Sequence, residues 1–239
     1  MGLILRIDVD KPFGRHTLIR KFCSKILENY FPFVRIKIGY LSHLKEFIEY
    51  CNSNDIVGTF FYRLCTSPDP KTIELMEKGK HNAGLHLENS SSKTTFLEEL
   101  NMLQSISGIK IDTFSKHGSG IYKLGKYHNP KYEPEVYKKW SKEFNISFPS
   151  GNGIPLNSHD LQSKDDFFEN VFWIEQEYRA TSFDRLEDLI KFATNNDAVV
   201  LIHPCNYIAD IHTKKSFHRL VELASEYNIE WKLFQNTIL

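Results

Sequence analysis

Apolar positions along the chain follow two rhythms that take turns. Short continuous runs rich in β-branched and aromatic residues occur at Leu3 to Val9, Asp55 to Tyr62 (DIVGTFFY), His81 to Glu88 (HNAGLHLE), Ile109 to Phe114, Glu169 to Glu175 and Ala198 to His203 (AVVLIH). Runs of this kind, bounded by turn formers, read as strands, the longer ones buried on both faces. Asn145 to Pro149 and Glu230 to Phe234 read as shorter strands, and Val34 to Tyr40 as a strand or extended excursion. Between them, apolar residues recur every three or four positions, the helical period. Those stretches are His16 to Tyr30, Leu41 to Asn52, Thr95 to Ser105, Phe183 to Asn195 and His212 to Tyr227. Pro70 and Pro134 open helices to Lys78 and Phe144, where the missing N–H of proline has no helical partner to lose. Ser90 to Ser92 can cap the helix that follows, Ser150-Gly151-Asn152-Gly153 reads as a loop, and Ile121 to Glu133 as an irregular insertion.

Strands alternating with helices imply repeated βα units and a largely parallel sheet. Seven or so strands in 239 residues point to a barrel, and no repeat or linker divides the chain, so a single domain over residues 1–239 is expected. Lys plus Arg and Asp plus Glu both total 30. With no net charge there is no long-range field to favour nucleic acid or an anionic membrane. No signal peptide is evident, and no run approaches the roughly 18 apolar residues of a membrane span. Cys23, Cys51, Cys65 and Cys205 lack CxxC spacing, as expected of reduced thiols in a cytoplasmic protein.

The chemistry gathers where the strands end. Asp8 and Asp10 close the first run and, two apart on a strand, share a face. Like charges that close are costly without a metal, cation or proton between them. That points to a metal or acid–base site, against the plainer reading of an exposed acidic loop. His86 and Glu88 end the third run, Lys116 and His117 follow the fourth, and His203 ends the most apolar one. The carboxyl ends of strands form the functional face of barrels and open α/β sheets. Gly118-Ser119-Gly120 offers bare amides for an anion or a close substrate approach. The remaining histidines, His218 among them, read as ordinary surface residues.

In this order, the IDVD, GTFFY, GLH, Lys116-His117-Gly118-Ser119-Gly120 and LIH motifs resemble the polysaccharide deacetylase (NodB-homology, carbohydrate esterase) family. The opening phrase is similar to that of the branch that deformylates lipid-linked aminosugars. The resemblance spans Ile7 to His203 and implies a distorted (β/α)7 barrel that hydrolyses N-acyl groups on sugars. It implies Asp8 as general base, Asp10 and His86 as metal ligands, Lys116 in place of an arginine that orients the base, and His203 as general acid. Ser90 stands where the family has its second metal histidine, and a hydroxyl is a poor zinc ligand. Glu88 is therefore expected as the third ligand, with His117 the other candidate. His117, Gly118, Ser119, Gly120 and Tyr122 are assigned to substrate binding, and the tyrosines at 122, 127 and 132 to stacking on sugar rings.

The resemblance thus implies a zinc-type divalent metal site and the removal of an acetyl or formyl group from an aminosugar or glycan precursor, in surface polysaccharide or glycolipid biosynthesis. No nucleic acid or integral membrane segment is expected. The competing readings are a metal-free barrel that binds carbohydrate or protein without catalysis, and a glycosyltransferase using Asp8-Val9-Asp10 as its DxD motif. The latter comes too early for a nucleotide-binding half to precede it. No GxSxG elbow is present, which argues against a serine hydrolase.

Overall fold

Strand β1 (Gly2–Val9) is buried along its whole length because it is paired on both sides. In the computed structural model the described residues are 1–10, 19, 22, 26, 40–118, 129, 131–157, 167–178 and 183–237. Parallel neighbours of β1 are β2 (Thr59–Tyr62) and β7 (Asp197–Ile202). Outward from β2 lie β3 (Asn82–Leu87) and β4 (Phe114–Lys116), and outward from β7 lie β6 (Phe168–Trp173) and β5 (Ser150–Pro155), giving the order β4-β3-β2-β1-β7-β6-β5. The two edges meet through a parallel bridge between Thr113 and Ser147. There the N–H groups of Phe114 and Ser147 donate to the carbonyls of Ser147 and Asp112, both at 2.8 Å. A two-residue β8 (Trp231–Lys232) lies beside the foot of β1. The parallel strands thus form a nearly closed, distorted (β/α)7 barrel with its helices outside.

The helices are α1 (Tyr40–Ser53), α2 (Pro70–Lys78), α3 (Lys93–Ser107), α4 (Pro134–Phe144), α5 (Leu186–Ala193), α6 (Pro204–Ala209) and α7 (Ile211–Glu226). Their ends follow from local chemistry. Asp69 caps α2 by accepting from Thr72 N–H, with Pro70 in the first turn. Ser92 caps α3, which stops at Gly108 in the left-handed conformation (φ 76°). Asp210 caps α7. Among the described residues no helix is long and apolar enough to cross a membrane.

Strand alternation sorts side chains into two layers. Leu3, Leu5, Ile7, Phe60, Tyr62, Leu85, Leu87, Phe114, Val200 and Ile202 face the helices and join Leu44, Phe47 and Ile48 of α1 in one core. On the lumen side, Ile4, Phe61, Phe168, Val171, Val199 and Phe234 form a separate apolar plug. Above the plug the buried residues turn polar: Arg6, Asp8, His86, Ser115 and Ser150.

The helix limits agree with the periodicity to within a few residues, but two strands are displaced. The fourth runs through Phe114–Lys116 rather than ending at Phe114. The Ser150 to Gly153 stretch, expected as a loop, belongs to β5, whose pairing with β6 shifts register between Ser150 and Ile154. Glycine carries no side-chain signal for a strand yet tolerates such an irregularity. Asn145 to Pro149 contributes only the bridge at Ser147. The expected helix from His16 to Tyr30 lies outside the described residues except at Ile19, Phe22 and Ile26, which are helical. The strand expected at Val34 to Tyr40 lies outside them except at Tyr40, which opens α1. Of Ile121 to Glu133, residues 129 and 131–133 are described and carry no helix or strand.

Gly84 marks the tightest point of the plug. A Cβ there would lie 2.6 Å from two ring carbons of Phe61 and 2.9 Å from Thr113 Cγ2. Gly84→Ala is expected to lower stability by about 1–3 kcal/mol through overpacking. Urea unfolding of the variant against wild type measures this.

Candidate active site

The site is built upward from Arg6. Its guanidinium, 1% exposed, lies in the barrel lumen. Nε donates to Asp8 Oδ1 at 2.9 Å and Nη2 to Asp8 Oδ2 at 2.8 Å, a two-bond fork. Nη1 reaches across the barrel to Ser150 Oγ (3.0 Å) and the Gly151 carbonyl (2.8 Å). Burial alone would push the Asp8 carboxyl up, but Arg6, followed by His86 and His203, outweighs it and holds the group below its ordinary range. Asp8 is thus an oriented, ionised carboxylate.

One turn of the pleat higher, Asp10 is surrounded by imidazoles. Its Oδ1 lies 2.9 Å from His86 Nε2 and 3.0 Å from His117 Nδ1, and its Oδ2 lies 3.6 Å from His203 Nε2. Burial again opposes ionisation, and His117, His203 and His86 together hold Asp10 well below the ordinary carboxylate range. Ligand atoms of Asp10, His86 and His117 all lie within 4.8 Å of one another, and all three residues are buried. One carboxylate oxygen and two imidazole nitrogens make a donor set suited to a divalent metal of the zinc type. Ser115 Oγ sits 2.7 Å from His86 Nδ1. A neutral His86 donating there keeps its Nε2 lone pair for a metal, the usual outer partner of a ligating histidine.

His203 is held by a carboxylate of its own. Glu175 Oε1 lies 3.1 Å from His203 Nδ1 and accepts from the His203 backbone N–H (2.9 Å) and Asn206 Nδ2 (3.2 Å). Trp173 stacks on the imidazole at 5.6 Å. Burial would lower the His203 pKa, but Glu175, Asp10 and Asp8 raise it to about 8.

The structure therefore brings Asp8, Asp10, His86, His117 and His203 together. Two expected members stand apart. Glu88, expected as the third ligand, forms an ion pair with Arg63 Nη2, while another Arg63 nitrogen binds the Asp10 carbonyl. A nearby guanidinium claims the Glu88 carboxylate, and His117 holds the third place in the convergence. Lys116, expected to orient Asp8, lies on the opposite side of the wall because β4 extends through it, so Ser115 and His117 share the lumen face and Lys116 faces the helices. Its Nζ donates to the carbonyls of Glu88 and His117, and the fork on Asp8 comes from Arg6. Ser90 receives a hydrogen bond from Tyr137 Oη at 3.0 Å, outside the convergence. Gly118 is half-buried, while Ser119, Gly120, Tyr122 and Tyr127 lie outside the described residues. Tyr132 packs edge-on against Tyr137 at 5.8 Å. His218 is no isolated surface residue: it stacks on Tyr50 at 4.2 Å and hydrogen-bonds Tyr207 Oη. Arg6, Glu175 and Glu99 escaped the sequence reading. For Arg6 the signal was present, since it precedes Asp8 by two on the same face.

No protein-family model and no curated protein sequence matches the chain. Solved structures do. A probable polysaccharide deacetylase from Pseudomonas aeruginosa PAO1 aligns with a TM-score of 0.54 at 11% identity, covering 98% of this chain and 88% of that one. The fold is the polysaccharide-deacetylase barrel. An allantoinase shares it at a TM-score of 0.52 and 12% identity, over 96% of this chain and 85% of its own. A CE4-family pseudoenzyme from Bacillus anthracis aligns at 0.52 and 12%, over 98% of this chain and 64% of that chain. In this barrel, as in other α/β barrels, the carboxyl ends of the strands carry the clustered polar residues.

Two outcomes follow from the buried charges. Arg6→Met strands the Asp8 carboxylate and is expected to cost about 3–5 kcal/mol, whereas Arg6→Met with Asp8→Asn loses less than the sum of the single changes. A double-mutant cycle by urea unfolding reads that coupling. Glu99, on α3, accepts the N–H groups of Glu88 and Asn89. Burial and the neighbouring Glu88 charge push its pKa from 4.5 to about 7, with Lys116 acting in the opposite sense. The folded state thus binds the extra proton, so this contribution is present below pH 4.5 and lost as pH rises through about 7. Across that window wild type is expected to lose stability relative to Glu99→Gln, on the order of 3 kcal/mol.

Proposed function

We propose that the chain is a metal-dependent hydrolase that removes an N-acyl group, acetyl or formyl, from a sugar or sugar-containing precursor. The observation that carries this reading is the convergence of Asp10, His86 and His117, flanked by the Arg6-held Asp8 and the Glu175-held His203. The barrel it shares with a probable polysaccharide deacetylase supports the substrate class.

Asp10, His86 and His117 would hold the ion, with zinc the metal their chemistry suits best. When bound, such an ion polarises the acyl carbonyl and lowers the pKa of bound water from ~15.7 toward ~7. The remaining work falls to the chain. Asp8 lies 3.6 Å from the His86 ligand nitrogen and accepts the proton of the attacking water, its oxygens aimed by the Arg6 fork. His203 enters from the Asp10 Oδ2 side. The Glu175 carboxylate beside Nδ1 favours the charged imidazole, which donates to the departing amine. Two groups held in opposite protonation states by their own partners give a base and an acid in one lumen.

Cys51, Cys65 and Cys205 are buried and lack CxxC spacing, which supports a cytoplasmic setting. A nucleotide- or lipid-linked aminosugar suits that setting better than a finished wall polymer, and a place in surface polysaccharide or glycolipid biosynthesis follows. The opening IDVD phrase supports the deformylase branch.

The test is zinc titration of chelator-treated protein, followed by assay of acetate or formate release from N-acyl aminosugars. One zinc per chain is expected, lost in His86→Ala and His117→Ala and retained in Glu88→Gln. Asp8→Asn is expected to keep the zinc and lose about 10²–10⁴-fold in kcat. Zinc binding that survives His117→Ala but not Glu88→Gln would overturn the ligand set. Stoichiometric zinc with no release from any N-acyl sugar would leave a non-catalytic barrel.

A further inference from the structure

We infer that Lys116, together with Glu99, is a positioning residue for His117, acting from outside the barrel wall. The inference rests on the metal-binding reading above and concerns residues that reading does not use.

Lys116 is completely buried on the helix-facing side of β4, the side shared by Phe114 and, on the adjoining strand, Leu87. Such a position ordinarily takes Leu or Met, because a buried ammonium forfeits its hydration. Two of its hydrogen bonds fall at one place. Nζ donates to the Glu88 carbonyl at 3.2 Å and to the His117 carbonyl at 2.8 Å. Both carbonyls lie one residue past the last paired position, Leu87 opposite Lys116. The His117 N–H donates to the Leu87 carbonyl at 2.9 Å, the final backbone bond between the two strands. Beyond it the ladder stops, and the ammonium bridges the next two carbonyls as an extra rung.

Glu99 completes the bracket from α3. Its Oε2 accepts the Glu88 N–H at 3.0 Å and its Oε1 the Asn89 N–H at 2.7 Å. Glu88 is therefore held at its N–H by a carboxylate and at its carbonyl by the ammonium together with the Asn129 N–H (3.1 Å), and His117 at its carbonyl by the same ammonium. His117 lies beyond the strand proper, so strand pairing alone does not set its backbone. Its Nδ1 nevertheless stands 3.0 Å from Asp10 Oδ1. A third ligand delivered by a strand exit needs such a brace, because Ser90 in the β3 loop is engaged by Tyr137 instead.

The test measures zinc affinity of the chelator-treated full chain by competition with a chromophoric zinc chelator. Lys116→Met is expected to bind zinc about 10–100-fold more weakly, the usual effect of losing an outer-shell partner. Lys116→Arg, which keeps buried donors, should recover most of that loss. Leu103→Ala, in the same helix layer and destabilising by cavity formation, should leave zinc affinity unchanged. Equal zinc affinity in Lys116→Met and wild type would overturn the inference alone, as would an equal loss in Leu103→Ala. Absence of zinc binding in wild type would overturn the metal reading as well. If Lys116→Met does not fold, Glu99→Gln decides: weaker zinc binding supports the bracket, and unchanged binding overturns it.

Discussion

The constraint on which this molecule depends is the two-residue period of a strand in a closed wall. In a parallel barrel each residue faces either the lumen or the helix layer, and a one-residue slip exchanges the two faces completely. β1 shows both outcomes: Leu3, Leu5 and Ile7 join the helix-side core, while Ile4, Arg6 and Asp8 point inward. β4 shows the same division in three residues, with Ser115 reaching His86 in the lumen and Phe114 packed among Phe96 and Phe148 outside. The chemistry at the top of the barrel is an outcome of phase as much as of composition.

Phase also explains how so much charge is kept out of water. The lumen is layered, with an apolar floor of Ile4, Phe61, Val171 and Val199 below the Arg6 level. Burying an ion is expensive unless its partner and hydrogen bonds are in place, and removing one member of a pair leaves the other stranded. The buried cations Arg6, Arg63 and Lys116 are each engaged in their own way. Arg6 forks onto Asp8 and braces β5, Arg63 joins Glu88 to the Asp10 carbonyl, and Lys116 bonds two backbone oxygens. These groups tie strand ends together across the sheet.

Much of this rim was legible in the sequence. Asp8, Asp10, His86 and His203 stand out because each follows an apolar run, and the end of a run marks the functional face of a barrel. Arg6 was legible by the same alternation that paired Asp8 with Asp10. Lys116 was misjudged because the fourth strand seemed to stop at Phe114, and two further residues of pairing reversed its side. Glu88 was placed on the correct face, but which cation claims its carboxylate depends on β2, whose last residue precedes Arg63. Glu175 was hidden for a similar reason, since its partner His203 comes 28 residues later and meets it only through the pairing of β6 with β7. Periodicity reports the face of a side chain; its partner is set by strand order and register.

The candidate ligands and the base come from β1, β3 and β4, before residue 118, whereas His203 and its carboxylate come from β6 and β7, after residue 174. The groups proposed to hold an ion and the group proposed to donate a proton therefore come from separate halves of the chain, joined in the lumen at Asp10 and through the Arg6 brace to β5. Under the proposed function, substitutions in the second half would erase turnover while the candidate ligands stay in place, and changes in the first half would alter the ligand set without moving the acid. A barrel divided in this way can drift from catalyst to ion-bearing scaffold through single changes in one half.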